Sequence, residues 1–115
     1  MDYLEKQRFI RQKAAENRND PTGAKVYWSR HAIAEMINDN LTRSEVEQAL
    51  EVCEIIEDYP TEHRPLPDCL VLAKLSETQP IHAVVAIDET KNRIFMVTVY
   101  LPSKEQWQDD WRTRK

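Results

Sequence analysis

Glycine is nearly missing. Gly23 is the only one in 115 residues. Loops that cradle phosphates in P-loop and dinucleotide-binding proteins need several closely spaced glycines, so both classes are excluded, together with the cofactors they hold. Cysteine is scarce as well. Cys53 and Cys69 have neither the CxxC spacing nor the nearby histidines of a zinc site. Both sit in apolar stretches and are expected as buried free thiols, not as a disulfide. Glu35, Asp39, Glu54, Glu57 and Asp58 have no spacing with a histidine that makes a metal site, so no metal is expected. No apolar run approaches the roughly 20 residues that span a membrane, and MDYLEKQRFI lacks the apolar centre of a signal peptide. The expected location is the cytoplasm. An excess of positive charge is also lacking. The net charge is −4, which argues against nonspecific coating of nucleic acid but leaves room for a local basic site.

What is present is a core. Hydrophobic residues make up 41% and charged residues 31%, the composition of one domain with a solvated surface. The two clearest strand signals are IHAVVAID (81–88) and RIFMVTVY (93–100), joined by the short polar turn ETKN. CLVLAKLS (69–76) precedes them as a third strand. CEIIEDY (53–59) is read as an edge strand, ended by Pro60, and PTEHRPLPD as a proline-punctuated loop.

Helices come earlier. Residues 2–17 contain helix formers and only a thin apolar stripe of Leu4, Ile10 and Ala14, which predicts a solvated helix. NRNDPTG is a turn cluster. The sequence therefore divides into a helical extension and turn, 1–23, and a single domain, 24–115. KVYW is an extended lead-in. Ser29 is placed to cap a helix whose buried face is Ala32, Ile33, Met36 and Ile37. Thr42 and Glu45 form a capping box for a second helix, with Val46, Ala49 and Leu50 inward. Ser103 and Gln106 suggest another box for a short C-terminal helix carrying Trp107 and Trp111. The expected fold is α+β: N-terminal helices on one face of an antiparallel sheet of three to four strands, with a short C-terminal helix.

Alternation along the strands then sorts side chains by face. Ile81, Ala83, Val85 and Ile87 are all apolar and should meet the helices, leaving His82 on the open face. In the last strand Phe95, Val97 and Val99 are assigned inward, and Ile94, Met96, Thr98 and Tyr100 outward. His82, Thr98 and Tyr100 then share a surface: an imidazole that exchanges protons near neutral pH and two hydroxyls that can orient a phosphate. His31, just after the cap Ser29, could complete a base and acid pair with His82 for cleaving a phosphodiester without metal. The competing reading makes His82 a histidine bonded to its strand neighbours and His31 a local helix-end residue. Arg30, Lys74 and Arg93 are the cations nearest this face, either an anion site or ordinary surface charge. His63 and Arg64 lie in the proline loop, where binding residues concentrate. Ile94 and Met96 on an open face would also suit pairing into a homo-oligomer.

SRHAIAEM, EIIEDYP, RPLPDCLVL, QPIHAVV and VTVYLP, in that order, with a following tryptophan and an R-x-R end, resemble the domain-of-unknown-function 4258 family from about Ser29 to Lys115. The layout is similar to RelE-like toxin ribonucleases at the level of fold. The resemblance implies RNA or an antitoxin-like protein as partner. It carries the family's helix histidine onto His31, its strand histidine onto His82, its T-x-Y onto Thr98 and Tyr100, and the tyrosine before the loop onto Tyr59. Where the family's first helix is expected to read R-M-x-x-R, this chain has Glu35 before Met36 and Asp39 after it. That departure weakens an RNA-facing helix. The alternative is a non-catalytic module that binds a protein or small ligand through the open face or the loop.

Overall fold

A computed structural model of the chain describes residues 1–59 and 65–115. His63 and Arg64 lie outside the described residues. Capping chemistry sets the helices. Asp2 and Glu5 make a reciprocal capping box at the start of α1 (Tyr3–Asn19). Ser29 caps α2 (Arg30–Asn38) by accepting from the Ala32 amide. Asn40 then adopts a left-handed φ of 57° that ends it. Thr42 and Glu45 form the expected box on α3 (Arg43–Leu50).

Five strands follow the order β1-β5-β4-β3-β2, where β1 is Val26–Trp28, β2 Glu54–Tyr59, β3 Asp68–Lys74, β4 Pro80–Asp88 and β5 Arg93–Tyr100. β2 to β5 form an antiparallel meander, and β4 pairs with β5 as the sequence suggests. The expectation of three to four antiparallel strands needs correcting. The KVYW lead-in becomes a short strand that runs parallel to β5, so the sheet is mixed. It can do so because α2 and α3 carry the chain away before the antiparallel strands begin.

The helix side of the sheet is the core. Ile10 and Ala14 of α1, Met36 of α2, and Val46 and Leu50 of α3 pack on Val71, Ile81, Val85, Ile87 and Val99. Only part of α2's expected face is covered: Ile37 is 63% exposed, because this short helix lies along β5 with the Ala32–Met36 stripe inward. α1 is not the solvated helix expected from its thin stripe. Ile10 and Ala14 are fully buried, and Lys6 and Lys13 lay their stems over the core. Lys6 reaches Asp58, and Lys13 reaches Glu16 at 2.7 Å.

Polar side chains of α1 also bind strand backbone at both edges of the sheet. Asn17 Oδ1 accepts from the Lys25 and Val26 amides at 3.0 and 3.2 Å. Gln7 accepts from the Ile55 amide at 2.9 Å, and Arg11 donates to the Cys53 carbonyl at 2.7 Å.

The register of β4 and β5 shifts between Val84 and Val85: Val84 faces Thr98, but Val85 faces Met96. Val97 is thus the extra residue of a β-bulge, and the face pattern of β5 changes phase across it. Ile94, Met96 and Val99 are buried in the core, whereas Thr98 and Tyr100 face the other way. Strict alternation had put Ile94 and Met96 outward. That assignment is corrected, and with it the surface proposed for homo-oligomer pairing, since both side chains are 0% exposed.

The C-terminal helix does not form. The Trp107 amide does bond the Ser103 carbonyl at 3.1 Å, but the turn stops there. Asp110 takes the Arg112 and Thr113 amides on its own carboxylate, a local alternative to the helix. Trp111 has a left-handed φ of 61°, and a single bridge joins Trp107 to Arg114. Residues 101–115 form an irregular strap.

Val85 is fully buried between sheet and helices. Val85→Asp places an unpaired carboxylate there, at a cost of roughly 4 kcal/mol or more. The variant is expected to be unfolded at room temperature by circular dichroism; a cooperative melt within a few degrees of the parent would contradict this packing.

Candidate functional site

The strand register lays the outer face of the sheet out in rows. One row is Glu54, Leu72, His82 and Tyr100, and the next is Glu57, Leu70, Val84 and Thr98. His82, Thr98 and Tyr100 therefore do share a face. That face is not open at the His82 row, because the strap crosses it. His82 is 0% exposed. Trp107 stands edge-on to its ring with centroids 4.4 Å apart, and Trp107 itself is 1% exposed.

The bonds of His82 fix its tautomer. Nε2 lies 2.7 Å from the Trp111 carbonyl oxygen, which can only accept, so Nε2 carries the proton. Burial holds the imidazole below its ordinary pKa, against the upward pull of the Trp111 bond and of Glu57. The neutral ring then offers Nδ1 as an acceptor, and the Tyr100 hydroxyl donates to it at 3.1 Å. Burial raises the Tyr100 pKa, opposed by Arg114, so the phenol stays protonated.

A second group lies at the rim where α2 meets β5. Glu35 Oε1 accepts from the Thr98 hydroxyl and, at 3.0 Å, from the Val99 amide. His31 Nε2 is 3.3 Å from the same oxygen, and the His31 side chain is 70% exposed. A carboxylate fixed by strand backbone thus stands beside an exposed imidazole, within ion-pair reach of it when the ring is protonated. His31 and His82 do not touch. They are linked only through neighbours, with Thr98 and Tyr100 two residues apart on one strand.

The cations fall elsewhere than expected. Arg93 is at the far end of β5, bonded to Asp88 at 3.0 Å and stacked over Tyr27 and Phe95. Lys74 is exposed at the end of β3, and Arg30 is exposed beside His31 at the start of α2. The cations that do reach the outer face near His82 come from the strap, Arg112 at Glu54 in the His82 row and Arg114 at Glu57 in the next. Arg114 is the more extensively bonded. It makes two bonds to Glu57, at 2.6 and 2.9 Å, and lies over the Trp107 ring. Tyr59 donates to Glu57 at 2.7 Å, and burial pushes its pKa up to about 12. Arg112 pairs with Glu54 through a single bond. These two contacts hold both carboxylates below their ordinary values.

Glu35, Glu57, Trp107 and Arg114 are the participants to which the sequence reading gave no place beside His82, Thr98 and Tyr100. Glu35 had a signal, the four-residue spacing from His31 on one helix face; the others meet only through the strap. Beside the Thr98 row lies a shallow, almost wholly apolar depression of about 310 Å³, lined by Ser29, Ala86, Phe95 and Val97 among others. Cys53 and Cys69 are buried, with thiol pKa values pushed up to about 12 by burial, and are inert as nucleophiles. Among the described residues no group of three His, Cys, Asp or Glu side chains converges to hold a metal, and no helix is long and apolar enough to cross a membrane.

The family model for the domain of unknown function DUF4258 matches residues 28–101, more than half of the chain. The chain belongs to the DUF4258 family. No curated protein and no solved structure gives a significant match. The DUF4258 match takes in α2, α3 and β2 to β5, with His31, Glu35, His82, Thr98 and Tyr100. It ends at Leu101, the first residue of the strap that covers His82.

Because His82 is neutral when folded, its depressed pKa makes stability depend on pH. Above the reference value of 6.5 the folded and unfolded states bind protons alike at this site. As pH falls below 6.5 the unfolded state gains the proton first, so stability drops, levelling off below the folded pKa. Burial sets that lower limit, with the Trp111 carbonyl and Glu57 pulling it up and Arg114 pulling it down. Thermal melts between pH 7.5 and 5 should show this loss in the parent and not in His82→Phe; equal slopes would mean that His82 is not buried neutral. His82→Ala is expected to cost about 3 kcal/mol, from two abandoned bonding partners and a cavity under Trp107.

Proposed function

We propose that this protein is a metal-independent ribonuclease whose proton carriers are His31 and the Tyr100–His82 pair. The observation that carries the reading is the carboxylate of Glu35: held by the Thr98 hydroxyl and the Val99 amide, it stands 3.3 Å from an exposed imidazole at the rim of a sheet face that also bears Tyr100. Cleavage of RNA without metal needs one group to take the 2′-hydroxyl proton and another to give a proton to the departing 5′-oxygen.

The Tyr100–His82 pair suits the first task. The phenol oxygen accepts the 2′-proton while its own proton passes to His82 Nδ1, and the resulting imidazolium is stabilised by the Trp111 carbonyl and by Glu57. The 2′-oxygen bonds to phosphorus as the bond from phosphorus to the 5′-oxygen breaks. His31 gives a proton to that oxygen, with the Glu35 carboxylate beside its Nε2. Arg30 is the cation for the phosphate, and the apolar depression beside Thr98 is a seat for a base.

A fluorescent RNA oligonucleotide incubated with the protein in EDTA should be cut, leaving a 2′,3′-cyclic phosphate, and a 2′-deoxy sugar at the cut should block it. His31→Ala and Tyr100→Phe should each slow cutting by about a hundredfold or more. Absence of cutting, or cutting indifferent to both substitutions, overturns the reading. That outcome would leave a non-catalytic interaction module, a reading favoured by the carboxylates already paired with Arg93, Arg112 and Arg114.

A further inference from the structure

The strap is placed by side chains and not by regular secondary structure. Beyond Leu101 it lies outside the family match, and the face that it covers lies inside it. That face offers four things in fixed positions. The His82 and Tyr100 rings make an aromatic seat, taken by Trp107. The His82 Nε2–H, its tautomer set from behind by Tyr100, takes a backbone carbonyl, that of Trp111. Glu54 and Glu57 on β2 take two arginines that are two residues apart, Arg112 and Arg114. These are the elements of a peptide site: an apolar anchor, a main-chain bond and a pair of charge-assisted contacts.

We propose that the outer face at Glu54, Glu57 and His82 is a docking surface for a protein segment that carries an aromatic anchor followed by an Arg-x-Arg pair. The chain's own strap is its occupant in cis. Being tethered at Leu101, the strap acts at an effective concentration of the order of millimolar, so a partner succeeds only by matching its chemistry or after the strap is weakened. The two ion pairs are at the surface, with side chains 44% and 45% exposed for Arg112 and Glu54 and 59% and 25% for Arg114 and Glu57, so added salt loosens them. The inference does not depend on ribonuclease activity, since its readout is binding.

The probe is a synthetic peptide of residues 103–115, added to isotope-labelled full-length protein. The parent should not bind it at micromolar concentration. Full-length Trp107→Ala, whose strap has lost its anchor, should bind one peptide and recover the parent's His82 resonances. Arg112→Ala with Arg114→Ala provides a second weakened strap that keeps the buried tryptophan, in case Trp107→Ala does not fold. Adding Glu57→Lys to either background should weaken peptide binding at least about tenfold, as should replacing the peptide's Trp107 by alanine. If a folded, weakened protein leaves the peptide unbound, or binds it regardless of Glu57 and Trp107, the strap is structural only and the proposal fails.

Discussion

One extra residue in the last strand governs this molecule. Val97 bulges out of the pairing between β4 and β5, so the two halves of β5 present opposite phases. Without it, burying Ile94 and Met96 would turn Thr98 and Tyr100 into the core and Val99 out of it. With it, three apolar residues reach the core and both hydroxyls reach the outer face. The bulge also frees the Val97 carbonyl for the Ser29 hydroxyl at 2.9 Å, which docks the start of α2 against β5. From there Glu35 reaches the Thr98 hydroxyl and the Val99 amide. The rim group and the outer-face group thus share one backbone irregularity.

The strap gives the second organising contact. Trp107 is nearly dry although it lies in a segment with no helix or strand of its own, and a buried tryptophan contributes more than the surface ion pairs around it. His82 connects the two systems. Its one ring nitrogen serves the strap and its other serves Tyr100, so a change at either side reaches the other through the tautomer.

Much of this was legible in the sequence. The helix caps at Ser29 and Thr42, the strands from 69 onward and the inward set Ile81, Ala83, Val85 and Ile87 follow from patterns that span few residues. The misplacements have a common physical origin. Alternation assumes an unbroken ladder, and no side chain at 94–100 advertises the bulge. The thin stripe on α1 left out the lysine stems that complete it. At the expected C-terminal capping box only a backbone turn at Ser103 forms, while Asp110 bonds its own backbone and Trp107 covers His82. His82, Thr98 and Tyr100 could be grouped because strand parity placed them; Arg114 could not, because its partner Glu57 is 57 positions away in the chain.

The side-chain caps that α1 places on both margins of the sheet have a further meaning. Unpaired strand backbone is a template for another strand, and proteins that leave it bare tend to stack edge to edge. Here Asn17 occupies amides next to β1, while Gln7 and Arg11 occupy an amide and a carbonyl at β2. One helix therefore guards two borders that lie at opposite ends of the sheet. Its polar residues occupy strand backbone at both margins as its apolar ones hold the core, and both sets of contacts come from outside the span that the family model matches.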